Sequence, residues 1–188
     1  MRTPTAVEVA DRALVLYALV RRATIELALE EYAHDPHRVT QAETARKETD
    51  RWLAREGLFD APTPQERHLF DAPSGAWPSE AVADGMWRKE SLGTLLWALQ
   101  HIESLPGPGT EFDPRVLDHA ITRYGSVAAF RVNGALRPFD GLERAWHEAD
   151  AWLAATEGRT GEDASIASVS AERERALGWL LDADAAPA

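Results

Sequence analysis

The chain contains no cysteine. That removes disulfides, thiolate nucleophiles and cysteine-ligated zinc from consideration, and it fits a reducing compartment. Positive charge is also scarce. Lys and Arg number 20 against 31 Asp and Glu, for a net charge of -11 and a pI near 5.0. No run of basic residues interrupts this excess, so the chain is a poor candidate for a phosphate backbone, and no nucleic acid is expected. Nor is there an apolar run of the roughly 18 residues that a membrane span needs. The opening stretch "MRTPTAVEVADRALVLYALV" is broken by Glu8, Asp11 and Arg12, unlike the apolar core of a signal peptide. A soluble, cytoplasmic protein without membrane contact is the expectation.

The sequence is equally short of catalytic signatures. No G-x-S-x-G elbow is present. "LPGPGTEF" has the glycines of a phosphate loop, but its prolines remove amides and no lysine follows, so it reads as a turn. "HDPH" at 34–37 is the densest local group of metal-ligand types. It lacks a third ligand nearby, and loop histidines are ordinarily just solvated. His68, His101, His119 and His147 stand singly. The paired E-x-x-H motifs of a carboxylate iron bundle are missing, and "HEAD" at 147–150 has the wrong order. Neither a metal nor a cofactor is expected.

What is present is material for a core. Of 188 residues, 45% are hydrophobic and seven are Trp, and a chain of this length can bury about 70% of its unfolded surface. Between about Thr5 and Ala33, apolar residues recur at spacings of three and four, the stripe of an amphipathic helix. "TQAE" at 40–43 and "TPQE" at 63–66 both read as capping boxes. The helix from Thr40 ends at Gly57, and the one after Thr63 ends near Asp71. Ser79 opens a long helix to about residue 104, where "LPGPG" stops it. Asp113-Pro114 starts another, to about Tyr124. Gly125-Ser126 opens a segment through "VAAFRV". Two more helices follow, at Leu142–Thr156 and about Ile166–Leu181. No segment alternates with period two. The pattern specifies an all-α fold: one compact multi-helix domain over residues 1–188, built around the buried 79–104 helix, with a loose tail at 182–188.

The central helix carries an anomaly. From Ser91 to Leu99 it is uncharged, yet Arg88 and Glu90 stand just before that run. At 100° per residue they diverge by about 160°, too far to pair with each other. In the last helix, Glu172 and Arg173 fall on the stripe of Val169, Ala176 and Leu180. Burying one charge alone costs several kcal/mol, so each needs a partner or water. The economical pairing sets Arg88 against Glu172 as an internal ion pair. The alternative is a ligand, partner or enzymatic site made of Arg88, Glu90, Glu172 and Arg173, with Arg holding an anion and Glu acting as base. Trp87, Trp97 and Trp179 are expected in the core along with the other helical tryptophans. Gly93 and Gly178 lie mid-helix, where glycine costs roughly 1 kcal/mol against alanine, so each is expected to admit a close neighbour.

"WRKESLGTLLWAL" at 87–99 and "ERERALGWLL" at 172–181 resemble the two signature stretches of the bacterial domain-of-unknown-function family 4272. "RWLAREGL" at 51–58, "PQERHLF" at 64–70 and "FRVNGALRP" at 130–138 extend the resemblance, in order, over about residues 7–181. The chain departs from the pattern at "ADAWLAA", 149–155, where a more basic, aromatic helix is expected, and at Gly178, where a polar residue is commoner. The resemblance implies a mostly helical bacterial protein and carries no activity. With catalytic constellations missing and the charge acidic, the leading functional expectation is a non-enzymatic interaction module, possible forms being an immunity-like or antitoxin-like cover for a basic partner. A homo-oligomer joined through a Trp-bearing face is a further possibility.

Overall fold

The computed structural model describes residues 2–58, 61–156 and 162–184. They form eight helices and no strand, so the fold is all-α. In chain order these are α1 (Ala6–Glu31), α2 (Pro36–Arg55), α3 (Pro64–Asp71), α4 (Ser79–Ala98), α5 (Pro114–Thr122), α6 (Val127–Asn133), α7 (Phe139–Thr156) and α8 (Glu162–Leu181). The residues group into two compact units: 1–13 with 89–188, and 14–88. The boundary falls inside α1 and α4.

Local chemistry sets most helix ends. Thr63 forms the full capping box with Glu66, as "TPQE" predicts. Asp113 and Ser126 cap α5 and α6 with their side chains. The start of α2 differs from expectation. Its cap is Asp35, which accepts from the amides of His37 and Arg38, with Pro36 in the first turn. Pro36 does end α1, as its restriction on Asp35 requires, but its fixed φ also suits it to begin the next helix. Thr40 therefore lies inside α2, donating back to the Pro36 carbonyl at 2.8 Å. At the other end, Gly57 has φ +68°, and the Leu58 amide donates to Leu53, a Schellman closure.

In the 14–88 unit, Ile25 and Leu29 of α1 pack with Ala42 of α2. Tyr17 meets Trp52 edge-on at 5.9 Å. In the other unit, α7 packs on α8, and the Trp146 indole donates to Glu174 at 2.8 Å. Leu92, Leu95, Leu96 and Leu99 are fully buried. The tail expected from residue 182 begins tied down: the Ala183 amide donates to the Arg2 carbonyl at 2.6 Å. Residues 185–188 lie outside the described residues, as do 157–161 of the loop expected before α8.

The central helix is shorter than its pattern. It stops at Ala98, not near residue 104, because Gln100 takes φ 62°. The Gln100 amide then donates to Trp97 and the His101 amide to Leu96, the paired closure of a Schellman end with glutamine where glycine is usual. The Gln100 side chain donates to the Ala135 carbonyl at 3.0 Å, which holds this conformation. Arg137 satisfies further carbonyls here, those of Trp97, Ile102 and Glu103.

The tryptophans divide. Trp179 and Trp77 are buried, Trp87 and Trp97 are only half-buried, and Trp152 is 44% exposed. Trp97 is thus not the deep core residue its position in an apolar run suggests; the Arg137 guanidinium lies 4.7 Å over its ring. The two mid-helix glycines also separate. A Cβ on Gly93 would lie 2.3 Å from the Phe112 ring, whereas one on Gly178 would meet Trp146 at an ordinary 3.6 Å. Gly93→Ala is therefore expected to destabilise by about 1–3 kcal/mol through overpacking, despite alanine's better helix propensity. Gly178→Ala should be neutral or stabilising by up to about 1 kcal/mol. Urea unfolding of the two variants checks the contrast, and equal effects would refute it.

Candidate functional site

Three of the charges singled out by the sequence, Glu90, Glu172 and Arg173, lie in the unit of residues 1–13 and 89–188. Glu90, fully buried on α4, pairs with Arg173 on α8: Nη2 donates to Oε2 at 2.9 Å and Nε at 3.2 Å. The other Glu90 oxygen accepts the Phe112 amide at 2.8 Å. Arg173 also donates to the carbonyls of Pro106 at 2.9 Å, Gly107 at 3.4 Å and Thr110 at 2.7 Å. Its guanidinium lies 5.2 Å over the Phe112 ring. Guanidinium has five N–H donors, and these five contacts engage its whole edge. Three of the accepting residues, and the ring, belong to the "LPGPGTEF" turn. The turn that resembled a phosphate loop thus wraps an arginine of the same chain.

Glu172 makes different contacts. Its Oε2 accepts from the buried Ser91 hydroxyl at 2.7 Å, and its Oε1 accepts from Arg175 one turn along α8. Glu90–Arg173 is thus an α4–α8 ion pair that the wheel argument did not name. Arg88 itself belongs to the 14–88 unit and is half-buried. Within the unit of residues 1–13 and 89–188, Glu90, Glu172 and Arg173 lie together with Ser91 and Phe112. Phe112 could not be found from sequence: nothing in a loop phenylalanine signals that its amide faces a buried carboxylate.

Burial pushes the Glu90 carboxyl above its ordinary range, against the opposing pull of the Phe112 amide and Arg173. A raised carboxyl is what a general base needs. A base must also be reached, and Glu90 has no exposure with both oxygens already accepting. The arrangement is that of a satisfied internal pair.

A family model described as "Domain of unknown function (DUF4272)" matches residues 1–187. The chain belongs to this family. No curated protein and no solved structure matches it. In this DUF4272 chain the two signature stretches, 87–99 and 172–181, contain Glu90 and Arg173, so the stretches that carry the resemblance also carry the buried pair.

The sequence reading also passed over His101, which stood without ligand spacing. It is buried, stacks on Phe130 at a centroid distance of 4.5 Å, and its Nδ1 lies 2.8 Å from the Tyr124 hydroxyl. Arg123 donates to its carbonyl at 3.0 Å. Its Nε2 is buried without a hydrogen-bond partner, toward Gly134, where a Cβ would stand 3.4 Å away. Burial first, and the nearby Arg123 charge second, pull its pKa from 6.5 to about 4. Among the described residues no three His, Asp or Glu side chains converge as a metal group would.

Two expectations follow from these geometries. Glu90→Gln and Arg173→Met should each cost about 3–5 kcal/mol, since each leaves a buried group without its partner. The double variant should recover part of the combined loss, as denaturant unfolding of the three proteins will reveal; strictly additive losses would show no coupling. For His101 the sign follows from linkage. The unfolded ring takes up a proton near pH 6.5 but the folded one only near 4. Its contribution is therefore full above pH 6.5 and is lost as pH falls toward 4, by up to about 3 kcal/mol. His101→Phe should flatten that part of the stability–pH curve relative to the parent protein. Parallel curves would mean that folding leaves the ring's pKa unshifted.

Proposed function

We propose that this chain is a non-enzymatic protein-interaction module whose acidic surface covers a basic partner, in the manner of an immunity or antitoxin protein. The observation that supports this most is the closed Glu90–Arg173 pair. The groups best suited to chemistry hold the fold together, and Arg173 has all its donors engaged within the chain. A ligand or enzymatic site at Arg88, Glu90, Glu172 and Arg173, the rival reading, would need those contacts to be given up.

The net charge of -11 supports a basic partner through long-range attraction. The outward face of α7 is a suitable surface: Asp140, Glu143 and Glu148 are exposed there, with Trp152 alongside at 44% exposure. Aromatic anchors ringed by polar groups are typical of interface hot spots. Affinity capture from cells that encode the protein tests the reading. A basic protein should be retained at low salt and released as ionic strength rises through about 0.5 M, where screening shortens to a few ångströms. Glu143→Lys with Glu148→Lys should abolish retention without unfolding the chain, since exposed substitutions usually change stability by no more than about 0.5 kcal/mol. Retention that ignores both salt and the charge reversal would overturn the proposal.

A further inference from the structure

A cleft of about 240 Å³ lies within the 14–88 unit, between α2 and the segment leading through α3. Its floor is apolar, formed by Leu53, Pro62 and Phe70, all buried. Its walls carry charge of both signs: Arg46 and Arg67 against Asp50 and Asp71. Arg46 is the informative residue. Asp50 approaches one edge of its guanidinium, with Oδ2 3.8 Å from Nη2. The Nε is buried and, among the described residues, donates to nothing. With Asp50 no nearer than 3.8 Å, this guanidinium is short of close acceptors, so the cleft favours a ligand that brings one.

The cleft's size and chemistry limit what that acceptor belongs to. Water occupies about 30 Å³ per molecule in the liquid, so the space is worth about eight waters and falls below the usual range of drug-sized pockets. That is too small for a nucleotide. An anion alone would meet Asp50 and Asp71 as well as the arginines. A molecule bearing both a carboxylate and an ammonium group satisfies both signs, and a short apolar body covers Leu53 and Phe70.

We propose that this cleft binds a free α-amino acid with an apolar side chain. The carboxylate lies against the Arg46 guanidinium, the ammonium group toward Asp50 and Asp71, and the side chain on the Leu53–Pro62–Phe70 floor. This goes beyond the partner-binding reading and stands independently of it.

Calorimetric titration of the full chain with L-leucine and L-phenylalanine tests it. At least one should bind saturably with Kd of about 1 mM or tighter, corresponding to roughly -4 kcal/mol. 4-Methylpentanoate, which lacks the ammonium group, and isoamylamine, which lacks the carboxylate, should each bind at least about tenfold more weakly than leucine. Arg46→Gln should weaken amino-acid binding by about tenfold or more, with an unchanged circular dichroism spectrum. Should that variant fold poorly, Asp71→Asn at the exposed rim is the second variant and should weaken leucine while sparing 4-methylpentanoate. No saturation by either amino acid at about 10 mM would overturn the proposal. So would equal binding of leucine and 4-methylpentanoate, or binding that neither variant changes.

Discussion

The contact between Glu90 and Arg173 is the constraint on which the larger unit depends. A carboxylate and a guanidinium taken out of water each carry a desolvation cost of several kcal/mol, and their attraction offsets it only when the remaining donors and acceptors are also satisfied. Here the missing partners come from backbone. Phe112 lends its amide to Glu90, and Pro106, Gly107 and Thr110 lend carbonyls to Arg173. The pair and the turn therefore stabilise each other. Without the turn the charges are unsatisfied, and without the charges the turn has nothing to hold its proline-broken backbone. Gly93 belongs to the same arrangement, because only a residue without Cβ lets the Phe112 ring lie against α4.

The 14–88 unit uses the same device with different residues. Arg22 and Glu26, one turn apart on α1, form a buried pair at 2.6 Å. Arg22 donates to the carbonyls of Ala72 and Pro73, and Glu26 accepts the Trp77 amide at 3.4 Å. The guanidinium lies 5.6 Å from the Trp77 ring, and Gly85 of α4 sits against that ring. In both units a buried Arg–Glu pair grips a Pro- and Gly-containing loop by its carbonyls, the amide of one aromatic residue and that residue's ring. The closure differs in quality: Arg22 leaves Nη1 buried without an acceptor, whereas every donor position of Arg173 has one. Helical amphipathicity fixes which faces are apolar but says little about rotation and sliding between them. Directional pairs of this kind supply that specification.

Much of the helical pattern was legible because it rests on local rules. Thr63, Asp113, Ser126 and Gly57 act through their own side chains or dihedral freedom, and each stands where its type predicts. The failures come where a nearby signal competes or distant residues decide. Thr40 looks like a cap, but Asp35-Pro36 offers an earlier start and α2 takes it. Gln100 ends α4 in a conformation that glutamine seldom adopts, because Ala135 and Arg137 lie against it. The wheel argument correctly flagged Glu90, Glu172 and Arg173 as inward charges, since that is a matter of periodicity within one helix. It did not name the Glu90–Arg173 pair, since that depends on the register between helices whose paired residues lie 83 apart in the chain.

Buried charge is often taken as a sign of chemistry, and the two units of this chain show how it divides. A charge whose partners are complete, as at Arg173, has no capacity left for a ligand without unfolding what it holds. A charge whose partners are incomplete and which borders open space, as at Arg46, keeps that capacity. The count of unsatisfied donors therefore discriminates better than burial or a shifted pKa. Glu90 has the more perturbed carboxyl environment and is the more fully buried, yet both its oxygens are occupied. By that measure the stretches at 87–99 and 172–181, which carry the closed Glu90–Arg173 pair, belong to the scaffold.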